Sequence, residues 1–362
     1  MRDFRRQAGQ LAIAGFAGHT IPADLKALAR EFDLGGIILF ARNVAEPEQV
    51  ADLAREAKEL TRELPLWVSI DQEGGRVARL KRPFTEWPPM ITLGRSDDEG
   101  LARRFATALA GELRAVGITL DYTPVLDVHT NPRNPVIGDR ALAERAEEVA
   151  RFGRIIIRTL QDAGIAACGK HFPGHGDTST DSHHELPIIE HPPDRLEAVE
   201  LVPFRAAIEE RVAAIMTAHI LIPTIDEERP ATLSPAIVGG MLRERLGYDG
   251  LILSDDLEMQ AIAGRFGIAD ATVAAIAAGC DAVLMCGSGQ DQQATALEAI
   301  IKAVEQGELP HKRVDDALAT HRRVKERFLA GRRPSPLTGA ALRAVLGCDE
   351  HQAVADEMAR FA

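Results

Sequence analysis

Apolar residues along this chain gather into eight short runs: Leu11–Phe16, Gly35–Phe40, Leu66–Ile70, Leu120–Val125, Ile165–Cys168, Val212–Met216, Leu251–Leu253 and Ala282–Met285. Continuous apolar runs of this length, without polar alternation, predict strands covered on both faces, as in a parallel sheet. The stretches between them, among them Glu46–Leu60, Leu101–Ala115 and Ala143–Ala163, carry apolar residues three to four apart with Arg and Glu opposite, the pattern of amphipathic helices. Eight strands alternating with helices predict an α/β fold of the closed (β/α)8 TIM-barrel type. An open doubly wound sheet is the competing arrangement. It is disfavoured because Ala14-Gly-Phe-Ala-Gly-His19, after the first run, lacks the glycine spacing of a dinucleotide site. The expected organisation is one domain, with a barrel over about 8–310 and a helical tail over about 311–362. That tail runs through Val314–Leu329, a break at Gly331-Arg-Arg-Pro-Ser-Pro336 and two short helical segments, and it reads as packing.

Composition narrows the class. The 362 residues are 46% apolar and 27% charged, with no apolar stretch long enough to span a membrane. The net charge of −12 argues against a nucleic-acid partner, which needs a concentrated basic face. Arg2, Arg5 and Arg6 precede the apolar run at Leu11 and imitate a secretory signal, but Asp3 and Gln10 interrupt that pattern, so the run is read as the first core strand. Cys168, Cys280, Cys286 and Cys348 show no paired spacing, which predicts free thiols and a reducing, cytoplasmic setting.

In a barrel of this kind the residues just after each strand converge on one mouth. The sequence supplies polar groups there at nearly every strand. Asp71-Gln-Glu-Gly-Gly-Arg76 and Arg79 follow the third run; Asp121, Asp127 and Asn134-Pro-Val-Ile-Gly-Asp-Arg140 belong to the fourth. Lys170 and His171 close the fifth, Thr217-Ala-His219 the sixth and Ser254-Asp-Asp256 the seventh. Each has a plain structural alternative: Gly74 and Gly75 as a turn, Asp139 and Arg140 as an ion pair, Asp256 as a helix cap. Their joint placement at strand ends favours a pocket.

The segment Lys170–Pro187 is the densest in chemistry, holding His171, His175, Asp177, Asp181, His183, His184 and Glu185 among glycines and prolines. Asp181 and His183, two apart in an irregular loop, suit a carboxylate that fixes an imidazole tautomer, giving a poised acid and base. Asp255, expected beside Lys170 or Arg140, would stay ionised and could attack an electrophilic carbon. The same loop leaves a second chemistry open, with His171, His175, Asp177, Asp181 and His183 as ligands of a metal-dependent hydrolase. A third reading is a barrel that binds its ligand without turnover.

The strings Asp71-Gln-Glu-Gly-Gly-Arg76, Lys170-His-Phe-Pro-Gly-His-Gly-Asp177, Asp181-Ser-His183 and Ser254-Asp-Asp-Leu-Glu-Met259, in this order, resemble family-3 glycoside hydrolases, above all the single-domain bacterial β-N-acetylglucosaminidases. The likeness runs from about Leu11 to Gly287. It implies removal of terminal non-reducing N-acetylglucosamine with retention, with Asp255 as nucleophile, His183 as acid/base and Asp181 as its dyad partner. It also implies sugar contacts at Asp71, Arg79, Arg140, Lys170 and His171, no cofactor and no metal. His175 and Asp177 are then loop-shaping residues, and His184 and Glu185 solvated neighbours. Larger β-glucosidases of the family carry their acid/base on a second domain, for which this length leaves no room. A histidine base repels an anion less than a carboxylate does, which raises phosphorolysis as an alternative outcome. The role implied is cytoplasmic recycling of cell-wall muropeptides by a monomer, with a small carbohydrate as the sole partner.

Overall fold

The computed structural model describes residues 2–61, 64–287, 289–330 and 335–362, so residues 331–334 of the predicted break lie outside the described residues. Among the described residues ten strands occur in chain order: β1 (Ala12–Ala14), β2 (Gly36–Leu39), β3 (Trp67–Ile70), β4 (Gln72–Gly74), β5 (Val77–Ala78), β6 (Leu120–Asp121), β7 (Ala166–Phe172), β8 (Ala214–Thr217), β9 (Leu251–Asp256) and β10 (Ala282–Met285). Eight are parallel and close into a barrel in the order β1-β10-β9-β8-β7-β6-β3-β2, while β4 and β5 form an antiparallel hairpin beyond β3. Closure rests on the β1–β10 ladder, which pairs Ala12 with Val283 and Ala14 with Met285. The open-sheet alternative is thereby set aside.

Side-chain alternation decides what fills the barrel. Ile13, Ile38, Trp67, Leu120, Ala166, Cys168, Ala214, Met216, Leu251, Leu253, Ala282 and Leu284 form one buried interior cluster. Their neighbours in sequence, such as Ile37, Val68, Ala167, Ile215, Ile252 and Val283, belong to a second cluster under the surrounding helices. Continuing the inward parity two residues past the apolar layers reaches Asp71 from Trp67 and Ser69, Lys170 from Ala166 and Cys168, and Asp255 from Leu251 and Leu253. The alternation that builds the core thus delivers those three side chains to its upper end.

The lower end is closed by the tail. Val324, Phe328 and Leu329, on the helix His311–Leu329, join the barrel-interior cluster, and the Phe328 ring meets Trp67 at 6.5 Å between centroids. On the same helix, buried Lys325 donates to Gln10 Oε1 at 2.7 Å and to the Gly35 carbonyl at 2.9 Å. Burial lowers its ammonium to about 7, the carboxylate of Asp33 opposing the shift. Farther on, Glu112 accepts from Thr85 Oγ1 (2.6 Å) and Gly347 N (2.8 Å) and sits 2.9 Å from His351 Nδ1, tying the last helices to the barrel wall. The tail packs, as expected, and 311–329 packs as part of the barrel core. No helix among the described residues is long and apolar enough to cross a membrane.

Candidate active site

At the C-terminal end of the strands lies a cavity of about 290 Å³. Asp71, Arg79, Arg140, Lys170, His171, Asp181, His183 and Asp255 all line it, so the three candidates for catalysis and the five for sugar contact meet in one place. Asp121 and Asp127, expected at the mouth, are instead fully buried beneath it.

Two register irregularities explain how neighbours in sequence can both reach the cavity. Along β7 and β8, Gly169 pairs with Ile215 and Phe172 with Thr217, so β7 carries one extra residue at Lys170 and His171. Along β10 and β9, Ala282 pairs with Leu253 and Leu284 with Asp256, so β9 carries one extra residue at Ser254 and Asp255. Regular strands send consecutive side chains to opposite faces, and an inserted residue re-aims them. Here Lys170 with His171, and Asp255 with Asp256, line the same cavity.

The motif after β3 has a function for each residue. Asp71 accepts from Lys170 Nζ (2.8 Å) and Arg79 Nη2 (3.2 Å). Gln72, buried, accepts through Oε1 from the Arg79 and Leu80 N–H groups and donates to the Leu80 carbonyl, which folds Arg79 back over the pocket. Glu73 takes Arg140 on both oxygens (2.9 and 2.8 Å) and lies 2.6 Å from Lys170 Nζ. Gly74 and Gly75 turn the β4–β5 hairpin at φ 116° and 54°, a region costly for residues with a Cβ. Arg79 lies with its guanidinium 5.1 Å from the Phe40 ring centroid, and its Nε is buried without a hydrogen-bond partner, a donor available to a ligand.

These contacts correct two expectations. Lys170 and Arg140 are not counterions of Asp255: Lys170 bonds to Asp71 and Glu73, and Arg140 to Glu73. Burial would push both carboxyls up, but Lys170 with Arg79 holds Asp71, and Arg140 with Lys170 holds Glu73, below the ordinary carboxyl range. Nor do Asp139 and Arg140 pair, since Asp139 faces Arg76 at 3.2 Å. Glu73 is the residue that sequence reading quoted without assigning; its spacing of two from Asp71 was the available signal.

Behind the pocket, Asp127 sits 2.7 Å from His171 Nδ1 and accepts from the His171 and His175 N–H groups, which fixes the imidazole of His171 in orientation. Burial opposes the charge on Asp127, and His171 and His175 overcome it, holding the carboxyl below its usual range. His219 lies 2.8 Å from Thr232 Oγ1 and 2.9 Å from the Asp256 carbonyl, bracing the end of β9. Asp256 itself accepts from Glu258 N and Cys286 N, and burial raises its carboxyl to about 6. Asp255 accepts from the Asp256 N–H at 2.8 Å.

Asp181 takes both the His183 N–H (2.9 Å) and the ring Nδ1 (2.7 Å) on one oxygen. A carboxylate is an acceptor only, so Nδ1 carries the hydrogen and Nε2 is left for chemistry. Hydrogen bonds from His183 outweigh burial and hold the Asp181 carboxyl below its usual range. The His183 side chain is 59% exposed at the rim, where a leaving group would depart. His184 and Glu185 are exposed, as expected. The five ligand candidates of the metal reading are dispersed: His171 is on Asp127, His175 on Thr178 and Ser182, Asp177 on His191, and Asp181 on His183. Gly176 is needed for packing, since a Cβ there would fall 1.8 Å from the Val128 carbonyl.

Residues 4–325 match the glycosyl hydrolase family 3 N-terminal domain. The chain belongs to glycosyl hydrolase family 3. A β-hexosaminidase of Thiobacillus denitrificans is 42% identical over 259 residues, spanning 70% of this chain and 71% of its own. Among solved structures, the family-3 β-N-acetylglucosaminidase of Paenibacillus sp. FPU-7 superposes with a TM-score of 0.91 at 42% identity, covering 99% of this chain and 68% of that one. NagZ of Neisseria gonorrhoeae, solved with N-trifluoroacetyl-D-glucosamine, is 33% identical with a TM-score of 0.78, covering 97% and 98%. The family-3 chain described here is accordingly a glycosidase of the β-N-acetylhexosaminidase type.

Proposed function

We propose that this family-3 enzyme releases terminal non-reducing N-acetylglucosamine from β-linked glycosides with retention, through a covalent glycosyl-Asp255 intermediate. The observation that carries the reading is the meeting of Asp255 and the Asp181–His183 pair in one cavity whose remaining polar lining suits a sugar. In this reading His183 Nε2 protonates the departing glycosidic oxygen while Asp255 attacks the anomeric carbon. The same nitrogen then takes a proton from water as the water oxygen bonds to the anomeric carbon, which breaks the acylal bond and frees the Asp255 carboxylate. Asp71, Arg79, Arg140, Lys170 and His171 hold the hydroxyls by charge-assisted hydrogen bonds, which supplies orientation as well as affinity. Muropeptides are the proposed natural substrates, processed in the cytoplasm by a monomer without cofactor or metal.

A 5-fluoro-N-acetylglucosaminyl fluoride, which slows breakdown of a covalent intermediate, tests this directly. Mass spectrometry should find the sugar on the peptide containing Asp255, and the adduct should be absent from Asp255→Ala. An adduct on another residue, or release of the α-anomer from a β-glycoside as seen by NMR, would overturn it.

A further inference from the structure

The residues of the 170–191 segment that hold no place in the pocket form a second polar cluster outside it. His191 Nε2 lies 2.5 Å from Asp177 Oδ2, and Thr130 Oγ1 donates to the other oxygen at 3.1 Å. Arg195 approaches the same Oδ2 at 3.8 Å and reaches Glu200 Oε1 at 3.2 Å. Glu200 is buried, and its Cβ and Cγ stand where a side chain on Gly174 would go, so this cluster backs the turn that opens the loop.

Its position in the chain gives it meaning. The outgoing limb is fixed as far as Thr178: Asn134 Nδ2 donates to the His175 carbonyl at 2.8 Å and Asn131 Nδ2 to the Thr178 carbonyl at 3.1 Å. The returning limb is fixed to the segment after β8: Leu221 N donates to the Pro187 carbonyl, Ile189 N to the Leu221 carbonyl and Thr224 Oγ1 to the His191 carbonyl. Asp177 and His191 join the two limbs at the neck, with Asp181 and His183 at the far side of the loop. Inside the loop, Ser182 stands 3.2 Å from His175 Nε2, and its carbonyl accepts from Ala261 N just beyond β9. His183 thus stands between two anchors, the neck on one side and the Ser182 contacts to His175 and Ala261 on the other, and both bear on its placement relative to Asp255.

We propose that Asp177 and His191 act as a clasp that positions His183 for proton transfer to the leaving group, a positioning role outside the pocket. The inference rests on His183 being the acid/base. It makes a selective prediction, because proton donation matters for a poor leaving group and little for an acidic phenol. Opening the clasp should slow the first category and spare the second, whereas a general loss of folding slows both alike.

The test compares kcat/KM, which reports the step that cleaves the glycoside, for N,N′-diacetylchitobiose and for a dinitrophenyl N-acetylglucosaminide. In His191→Ala and in Asp177→Ala the chitobiose value should fall by about tenfold or more, against less than about twofold for the dinitrophenyl substrate. The double variant should be no worse than either single one, since all three lack the same contact. Equal losses on both substrates, no loss on either, or losses that multiply in the double variant would overturn the clasp. His183→Ala, run in parallel, separates the two ideas. If it lacks the leaving-group split, the acid/base reading fails and the clasp with it. If it has the split and the neck variants do not, the clasp alone is wrong.

Discussion

Glu73→Gln is the most informative single substitution in the pocket wall. The glutamate is fully buried and makes three charge-assisted contacts, at 2.8 and 2.9 Å to Arg140 and 2.6 Å to Lys170. The amide has nearly the same shape, keeps one acceptor oxygen and points an NH2 group at one of the cations. Removing one member of a buried ion cluster leaves the others uncompensated, which typically costs about 3–5 kcal/mol. A chain of 362 residues gains about 0.8 kcal/mol/K of unfolding entropy near its midpoint. The expected fall in Tm is then about 4–7 °C.

Activity should fall further than stability requires, because Arg140 and Lys170 both line the cavity and would both shift. Misplacing groups by about 1 Å commonly costs about 100-fold, so kcat/KM on a nitrophenyl N-acetylglucosaminide is expected to drop by about that factor at 25 °C, where the variant remains folded. Differential scanning calorimetry and steady-state kinetics on one preparation read both quantities. A Tm within about 1 °C of the parent together with kcat/KM within about threefold would refute the argument, since Glu73 would then not be what holds the two cations.

Two stability predictions follow from buried bases. Burial lowers His175 to about 4, against about 6.5 for an unfolded histidine. The contribution from its neutral ring is present above the unfolded value and drains away as pH falls toward about 4, by on the order of 3 kcal/mol. His175→Gln should flatten that part of the acid limb in denaturant titrations, and an unchanged slope between pH 6.5 and 4 would count against it. Lys325 is lowered to about 7, against about 10.4 unfolded. The unfolded chain thus gains its proton first as pH falls through that window, and the Tm of Lys325→Met relative to the parent should rise steadily from about pH 10 to pH 7 and then level off. A difference independent of pH would show that Lys325 is not held against its charge.

The barrel is legible because its strands are apolar on both faces, and each of the eight runs overlaps one of them. Errors arose where polarity and pairing part company. The fifth run was ended at Cys168, yet β7 continues through Lys170 and His171 to Phe172, since a polar side chain at the mouth does not stop the backbone from pairing. The fourth run was carried to Val125, yet β6 ends at Asp121. Pro124 has no N–H to give a ladder, so regular pairing lapses there; the Thr123 carbonyl still accepts from Cys168 N, and the isolated Val125–Lys170 bridge follows. The β4–β5 hairpin went unrecognised because its buried residues are Gln72 and Glu73, satisfied by hydrogen bonds and ions instead of apolar contact. Its adjacent glycines were the usable sign. The tail was recognised as packing, but nothing in its periodicity indicates that Val324 and Phe328 complete the barrel interior.

At the cavity, the candidate residues come together but pair differently from the expectation, and the reason is physical. Charges gathered at one cavity wall pair as a set, and the acids there include Asp71, Glu73 and Asp255, with Lys170, Arg79 and Arg140 as the cations beside them. Counting signs along the chain cannot say which anion takes which cation; that depends on the hairpin turning Glu73 inward and on the extra residue in β9. For the proposed attack by Asp255, the actual pairing suits the chemistry better than the expected one. A carboxylate gripped by a lysine or a forked arginine has its lone pairs engaged and its charge neutralised. With those cations on Asp71 and Glu73, the hydrogen-bond donor to the Asp255 side chain among the described residues is the Asp256 N–H. A free oxygen then faces the cavity in which positive charge would develop on the sugar ring. In the proposed mechanism Glu73 contributes by holding Arg140 and Lys170 in the cavity wall, engaged away from the Asp255 carboxylate.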